Sequence, residues 1–402
     1  MKLWVYITRR LILLVPVLLG VMTITFIVVS ALPIPEHLAE AFGAPPPNNP
    51  GEYSPTIQCP GNTSRCPNPV YVNDVARLGL NKPIPYQWGV YAVRVFTFQW
   101  GNVGLGSTVG IDYRGTAGQP VVKVLGWFLP YTLELAALSL AIIVAVSLPL
   151  GNLAAVNRNR PVDQAARVMS FSGFAFPAFL LSSFVLMGAV ILVGASTHYY
   201  AKTPWCPTGE VTFNEFHGSW PQCVLPPYNP SWLTNGIVSH PTGFPTVDAV
   251  IHGQYWLALD SLIRMALPAL IIAYGSIAVL LRFVRNSMLE VMNLDFVRTA
   301  RANGLPESVV VKRHAGRNSL NATVTVLGLT FAFFISGFPV IESVFGLNGI
   351  GYILALSVVN STGSIDFGIV FGSTLLFTYI VVGANLIVDV LYAYLDPRVR
   401  LG

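Results

Sequence analysis

The residues able to do chemistry are few and far apart. Six histidines, His37, His198, His217, His240, His252 and His314, are scattered along 402 residues. None pair at the i, i+4 spacing that would put two imidazoles on one helical face for a metal. No glycine-rich loop ends in Gly-Lys-Ser/Thr, so the chain carries no phosphate cradle for a nucleotide. Inside the apolar stretches no nucleophile sits beside a base, as an intramembrane enzyme would need. The reading is a chain with no catalytic residue, no bound metal and no cofactor of its own. The remaining reactive groups are Cys59, Cys66, Cys206 and Cys223. Their spacing is unlike a zinc-thiolate site, and of three connectivities Cys59 with Cys66 and Cys206 with Cys223 is the simplest.

The informative charges fall into two sets. Glu134, Arg264, Glu342 and Asp389 stand at or near the ends of long apolar runs. A charge carried to the bilayer centre costs on the order of 2.5 to 3.5 kcal/mol, so these four are expected to face a cavity or a partner. Glu134, Glu342 and Asp389 are the candidates for lining a pathway, Asp389 being the deepest; a carboxylate at a span end more often reaches water or pairs locally. The second set, Arg282, Arg285, Arg298, Arg301, Lys312, Arg313 and Arg317, is concentrated in one stretch. There Val291, Leu294, Val297 and Ala300 recur at helical spacing, and Gly304-Leu305-Pro306 breaks the helix and restarts it. This predicts a helix-turn-helix presenting Arg298, Arg301 and Lys312, too sparse a set for a lipid-binding polybasic run and better suited to docking a protein. A solvated loop obeying the positive-inside rule would carry the same charges.

The elements that must position these residues are membrane helices. Hydrophobic residues make up 53% of the chain and charged ones 10%, against about 25% charged in soluble domains. The formal net charge of +5, without a basic run, excludes nucleic-acid binding. Six uncharged apolar stretches qualify as spans: Leu11 to Leu32, Leu135 to Val156, Val168 to Ser196, Met265 to Leu281, Ala322 to Ile341 and Phe367 to Val388. With both termini in the cytoplasm, most Lys and Arg fall inside and all four cysteines outside, where disulfides persist. Thr8-Arg9-Arg10 precedes a run too long for a cleaved signal, so the first helix is expected to be retained.

The expected organisation is a first span to residue 32, an external loop over 33–129, a core over 130–393 and a cytoplasmic tail over 394–402. Within the core, spans cover about 130–156, 168–196, 261–284, 321–343 and 367–391, with an external loop at 197–260 and a cytoplasmic segment at 285–320. In the first loop, Val75 to Leu80 and Gln87 to Phe98 read as amphipathic helices, with Trp88 and Trp100 at headgroup depth. Pro149, Pro177, Pro268 and Pro339 are expected as kinks within spans, and Gly188, Gly194, Gly372 and Gly383 as places of close helix approach. Asn62-Thr63-Ser64 and Asn360-Ser361-Thr362 match the glycosylation triplet. No inverted repeat supports a secondary transporter, and no ionisable relay crosses the spans as a proton-driven carrier would need.

Asp295-Phe296-Val297-Arg298-Thr299-Ala300-Arg301-Ala302-Asn303-Gly304-Leu305, followed by Arg313-His314-Ala315-Gly316-Arg317-Asn318, resembles the cytoplasmic EAA loop of ABC-importer permeases. It is most similar to the dipeptide/oligopeptide subgroup, with Arg298-Thr299-Ala300 in place of Glu-Ala-Ala and Gly304 as the matching glycine. Gly316-Arg317 stands for the usual Leu-Arg. Further similarity runs through Leu78 to Pro85, Trp100 to Ser107, Pro130 to Leu135, Phe345 to Gly351 (with Asn348 where the family usually has Pro) and Leu395 to Arg400. Insertions at about Pro35 to Val70 and Ala201 to Val250 depart from the family.

The resemblance implies an all-α membrane protein with the six-helix type I importer permease fold. Its expected partners are a second homologous permease, two ATPase subunits binding ATP and Mg, and an external solute-binding protein. It implies that Asp295, Arg298, Thr299, Ala300, Arg301, Ala302, Gly304, Leu305, His314 and Asn318 form the ATPase-coupling surface. Peptide and oligosaccharide cargo both fit the subgroup.

Overall fold

The computed structural model describes residues 3–31, 54–59, 65–103, 118–194, 242–319, 337–358 and 365–395, with isolated positions at 323, 326 and 327. Its apolar runs are helices, the conformation that satisfies backbone N–H and C=O groups where hydrocarbon offers no water. In chain order they are α1 (Leu3–Ser30), a hairpin of β1 (Thr56–Gln58) and β2 (Arg65–Pro67), α2 (Pro69–Leu78), α3 (Ile84–Phe96), α4 (Val121–Val156), α5 (Pro161–Ala175), α6 (Ala178–Gly194) and α7 (Pro245–Ile251). Then follow α8 (Tyr255–Met292), α9 (Asp295–Ala302), α10 (Phe338–Phe345), α11 (Ile350–Val358) and α12 (Phe367–Leu395).

Among the described residues, α4, the Met265–Met292 part of α8 and the Phe367–Val388 part of α12 are long and apolar enough to cross a bilayer. Two broken pairs, α5 with α6 and α10 with α11, would bring the spans to five, and α1 contributes a shorter apolar helix, Val15–Ser30. Among the described residues the architecture is therefore mostly helical with three to five candidate spans, where six were expected along the whole chain. The stretch Val168 to Ser196 is not one helix, because α5 and α6 meet at 100°. Phe176 lies between them in extended backbone, φ −104° and ψ 111°, where a following proline drives the residue before it. Pro177 thus breaks the helix it was expected to kink. Pro268 remains inside α8. Pro339 follows Phe338 in the first turn of α10, where its missing N–H leaves no bond unmade. Most of the expected fifth span lies outside the described residues, as do Cys206, Cys223, both glycosylation triplets, the tail from 396 and the side chains of Arg264 and Asp389.

The chain forms two compact units: Arg9–Pro130 with Gly349–Val382, and Met1–Thr8 with Tyr131–Asn348 and Gly383–Gly402. The first has a core of Met22, Phe26, Tyr91, Val95, Trp100, Val121, Leu125, Phe128, Ile353 and Ile369. Polar groups entering it are paired, as burial demands. Tyr91 Oη shares a hydrogen bond of 3.1 Å with Thr25 Oγ1, and Trp88 Nε1 donates to Thr23 Oγ1 at 3.1 Å. Trp100, expected at headgroup depth, is 6% exposed. Its indole stacks on Tyr379 and donates to the Val95 carbonyl at 3.1 Å. The proline- and asparagine-rich insertion contributes the β1–β2 hairpin, with Ile57 opposite Cys66 and a disulfide joining Cys59 to Cys66.

The spine of the other unit is α8. It packs along α5, where a Cβ added to Gly173 would stand 2.4 Å from the Ala278 Cβ. Among the glycines singled out in sequence, Gly372 has such a close approach, with Val121 Cγ1 2.4 Å from where its Cβ would be; Gly188 and Gly383 face open space. Gly173→Leu is therefore expected to lower stability by about 1–3 kcal/mol through overpacking. Gly188→Ala should be neutral or stabilising by up to about 1 kcal/mol, because it meets nothing and alanine favours helix. Thermal unfolding of the two variants in detergent checks the contrast.

Candidate functional site

The basic stretch begins as a continuation of the span. Residues 285–292, expected to belong to the cytoplasmic segment, complete α8, because no residue before Asn293 interrupts the helix. Leu294 then takes extended backbone, φ −74° and ψ 151°, and α9 starts in a new direction. Leu294 is consequently 45% exposed, off the apolar stripe on which its spacing placed it.

Val297 and Ala300 do face inward. They join Met288 on α8, Ala155 at the end of α4, and Val310 and Ala315 in one small buried cluster. Fully burying a valine stabilises by roughly 1.5–3 kcal/mol, enough to hold a two-turn helix that would not persist in water alone. The outward face carries Asp295, Arg298, Thr299, Arg301 and Ala302, all exposed. Arg298 lies 3.5 Å from Asp295, and Thr299 Oγ1 donates to the Asp295 carbonyl at 2.9 Å.

Gly304 ends the helix in the left-handed region, φ +75°, which a side chain at this position would strain. Leu305, 39% exposed, sits at the tip, and Pro306 opens the short turn Glu307–Val309. Arg301 spans the loop with a fork: Nε donates to Glu307 Oε2 at 3.1 Å and Nη2 to Oε1 at 2.7 Å. Each partner shifts the other, Arg301 holding the Glu307 carboxyl below the usual range and Glu307 raising the guanidinium. The chain continues as a π-helix, Val310–Ala315. The wider turn suits Gly316, whose added Cβ would stand 3.1 Å from the Val311 carbonyl oxygen. His314 is half-buried on this turn and Asn318 is exposed. Ser287 Oγ on α8 donates to the Ser319 carbonyl at 3.2 Å, bringing the start and end of the segment together.

The candidate pathway carboxylates lie elsewhere. Glu342 is 1% exposed and accepts a hydrogen bond from Thr132 Oγ1 at 2.9 Å. Glu134 accepts one from the Thr246 backbone N–H at 3.1 Å. Sequence reading missed Glu307, Met288 and Asp163. Asp163, fully buried in the first turn of α5, accepts from Arg285 Nη2 at 3.0 Å and Arg167 Nη2 at 2.7 Å. A carboxylate following Arg158, Arg160 and Pro161 was a visible signal of a capped, charge-paired helix start.

Long apolar helices carrying a compact charged segment at the end of one of them define a multispanning membrane protein. Residues 147–401 match the family of binding-protein-dependent transport system inner membrane components, and the chain belongs to that family. It is 32% identical over 338 residues, 84% of its length and 86% of the relative's, to the probable D,D-dipeptide transport system permease protein DdpB of Escherichia coli. It is 29% identical over 395 residues, 98% of each chain, to the dipeptide transport system permease protein DppB of the same organism. It is 28% identical over 399 residues, 98% of its length and 99% of the relative's, to the oligopeptide transport system permease protein AppB of Bacillus subtilis.

The Arg301–Glu307 fork has a pH signature. Since the Glu307 pKa is lower in the folded chain, the fork adds stability above the ordinary glutamate value and loses it as pH falls through the lowered one. Both groups are exposed, so solvent screening keeps the effect small and local. Amide protection across residues 301–309, taken relative to the intrinsic exchange rate, should fall as pH drops below the ordinary glutamate range. Glu307→Gln should show the lower protection already at neutral pH.

Proposed function

We propose that this chain is the permease subunit of an ATP-driven importer of di- and oligopeptides. It forms half of the translocation pathway beside a second homologous permease, with both termini in the cytoplasm. An external binding protein delivers the peptide, and two separate ATPase subunits bind ATP and Mg and hydrolyse the nucleotide. The peptide-transport names of relatives aligned over almost the whole chain support the cargo. The observation that carries the mechanical reading is the two-faced helix α9, with Val297 and Ala300 buried against α8 while Asp295, Arg298, Arg301 and Ala302 are exposed.

A motor seated on the exposed face would move α9 and the end of α8 together, because the buried cluster leaves no room for one to slide over the other. Gly304 and Leu305 form the tip of this lever, and His314 and Asn318 lie on its returning arm. Closure of the ATPases around ATP is then transmitted through α8 as a change between outward and inward access. No covalent step occurs in this subunit. Glu134, Glu342 and Asp389 are proposed to border the pathway, Glu342 as a fixed carboxylate held by Thr132.

Ala302→Asp is the cleanest test, because Ala302 is exposed and belongs to neither the buried cluster nor the Arg301 fork. The variant should insert normally but fail to co-purify with the ATPases and lose peptide uptake in reconstituted vesicles. Reversing Arg301 alone would also break the loop fork; the exchange Arg301→Glu with Glu307→Arg restores the fork and should still fail to dock. Normal co-purification of both variants, or uptake in vesicles stripped of every ATPase, would overturn the proposal.

A further inference from the structure

Where α5 packs on α8, an open cavity of about 420 Å³ is lined by Arg158, Arg167, Arg282, Arg285, Ser170 and Phe171 among others. No carboxylate is among its lining residues. The carboxylate close by, Asp163, is buried and already held by Arg285 and Arg167. The guanidinium groups of Arg158 and Arg282, both residues exposed, make no hydrogen bond or ion pair among the described residues. The cavity therefore keeps a positive excess.

Its depth in the membrane follows from the sequence. Arg282 is the first charged residue after the uncharged stretch Met265 to Leu281, which puts it where hydrocarbon gives way to headgroups. Beside the arginines the surface is greasy: Phe171 is 68% exposed and Val168 67% exposed. Guanidinium groups match phosphate oxygens in charge and fork geometry, and an apolar shelf adjoining them accepts an acyl chain. A soluble anion would use only the first of these features.

We propose that this cavity is a binding site for the phosphate headgroup of an anionic phospholipid, whose acyl chain lies over Phe171. Arg158 and Arg282 supply the unneutralised charge, while the Asp163 pairs fix Arg167 and Arg285 in place. The site clamps α5 to α8 through a lipid at the end of α8 that leads into α9. The assignment holds whether or not α9 docks a motor, so its failure and that of the importer reading are separate outcomes.

The test uses the full chain in lipid nanodiscs of phosphatidylcholine doped with spin-labelled phosphatidylglycerol. The wild type should immobilise labelled phosphatidylglycerol in preference to labelled phosphatidylcholine. The double variant Arg158→Gln, Arg282→Gln leaves the Asp163 pairs intact and should weaken that preference by roughly ten- to thirtyfold. Arg158→Lys with Arg282→Lys should keep much of it. Added inorganic phosphate should not release the lipid. Equal immobilisation of both lipids by the wild type, an undiminished preference in the Gln variant, or displacement by inorganic phosphate would overturn the proposal. If the Gln variant fails to fold, the wild-type preference and its resistance to phosphate decide the matter.

Discussion

The buried contact of Val297 and Ala300 with Met288 and Ala155 is the constraint on which the functional reading rests. An eight-residue helix is too short to persist by itself, since nucleation is costly and few bonds repay it. Docked on α8 and α4, the same helix becomes a fixed extension of two long apolar helices. Movement imposed on its outer face must pass into α8, because close-packed side chains transmit displacement and do not absorb it. The hinge at Asn293 and Leu294 sets the direction of that outer face, and Gly304 lets the chain turn back without strain.

A second constraint comes from charge near the membrane. Asp163 is a buried ion that persists because it is partnered, by Arg285 and Arg167. Removing the carboxylate would leave Arg285 and Arg167 close together without a counter-ion. Glu342 shows the same logic with a neutral partner, its buried carboxylate accepting from Thr132. These arrangements are interior locks, and they differ from the exposed Arg301–Glu307 fork, where water already solvates both groups and the fork mainly shapes a loop.

Glycine and proline show how local rules depend on neighbours. Pro177 and Pro268 lie in equally apolar runs, yet one separates α5 from α6 and the other is carried within α8. The freed backbone groups of a proline can be tolerated when the surrounding helix is held on both sides, as α8 is over its buried face. Gly372 and Gly383 likewise look alike in sequence; Gly372 meets Val121 at close range and Gly383 meets nothing.

Composition and periodicity by themselves determined that this is a helical membrane protein, that it carries no phosphate loop, and that residues 295–305 form a helix and a glycine-proline turn. Those features are legible because each rests on short-range chemistry: uncharged length for a span, spacing of Val297 and Ala300 for a face, Gly304 for a left-handed turn. Tertiary structure alone decided that Leu294 leaves the apolar stripe, that Trp100 is core, and that Arg158 and Arg167 come to stand beside Arg282 and Arg285. Residues more than a hundred positions apart meet only through the packing of α5 on α8. A one-dimensional pattern contains no signal for such a meeting, because the free energy that produces it belongs to surfaces formed after the helices exist.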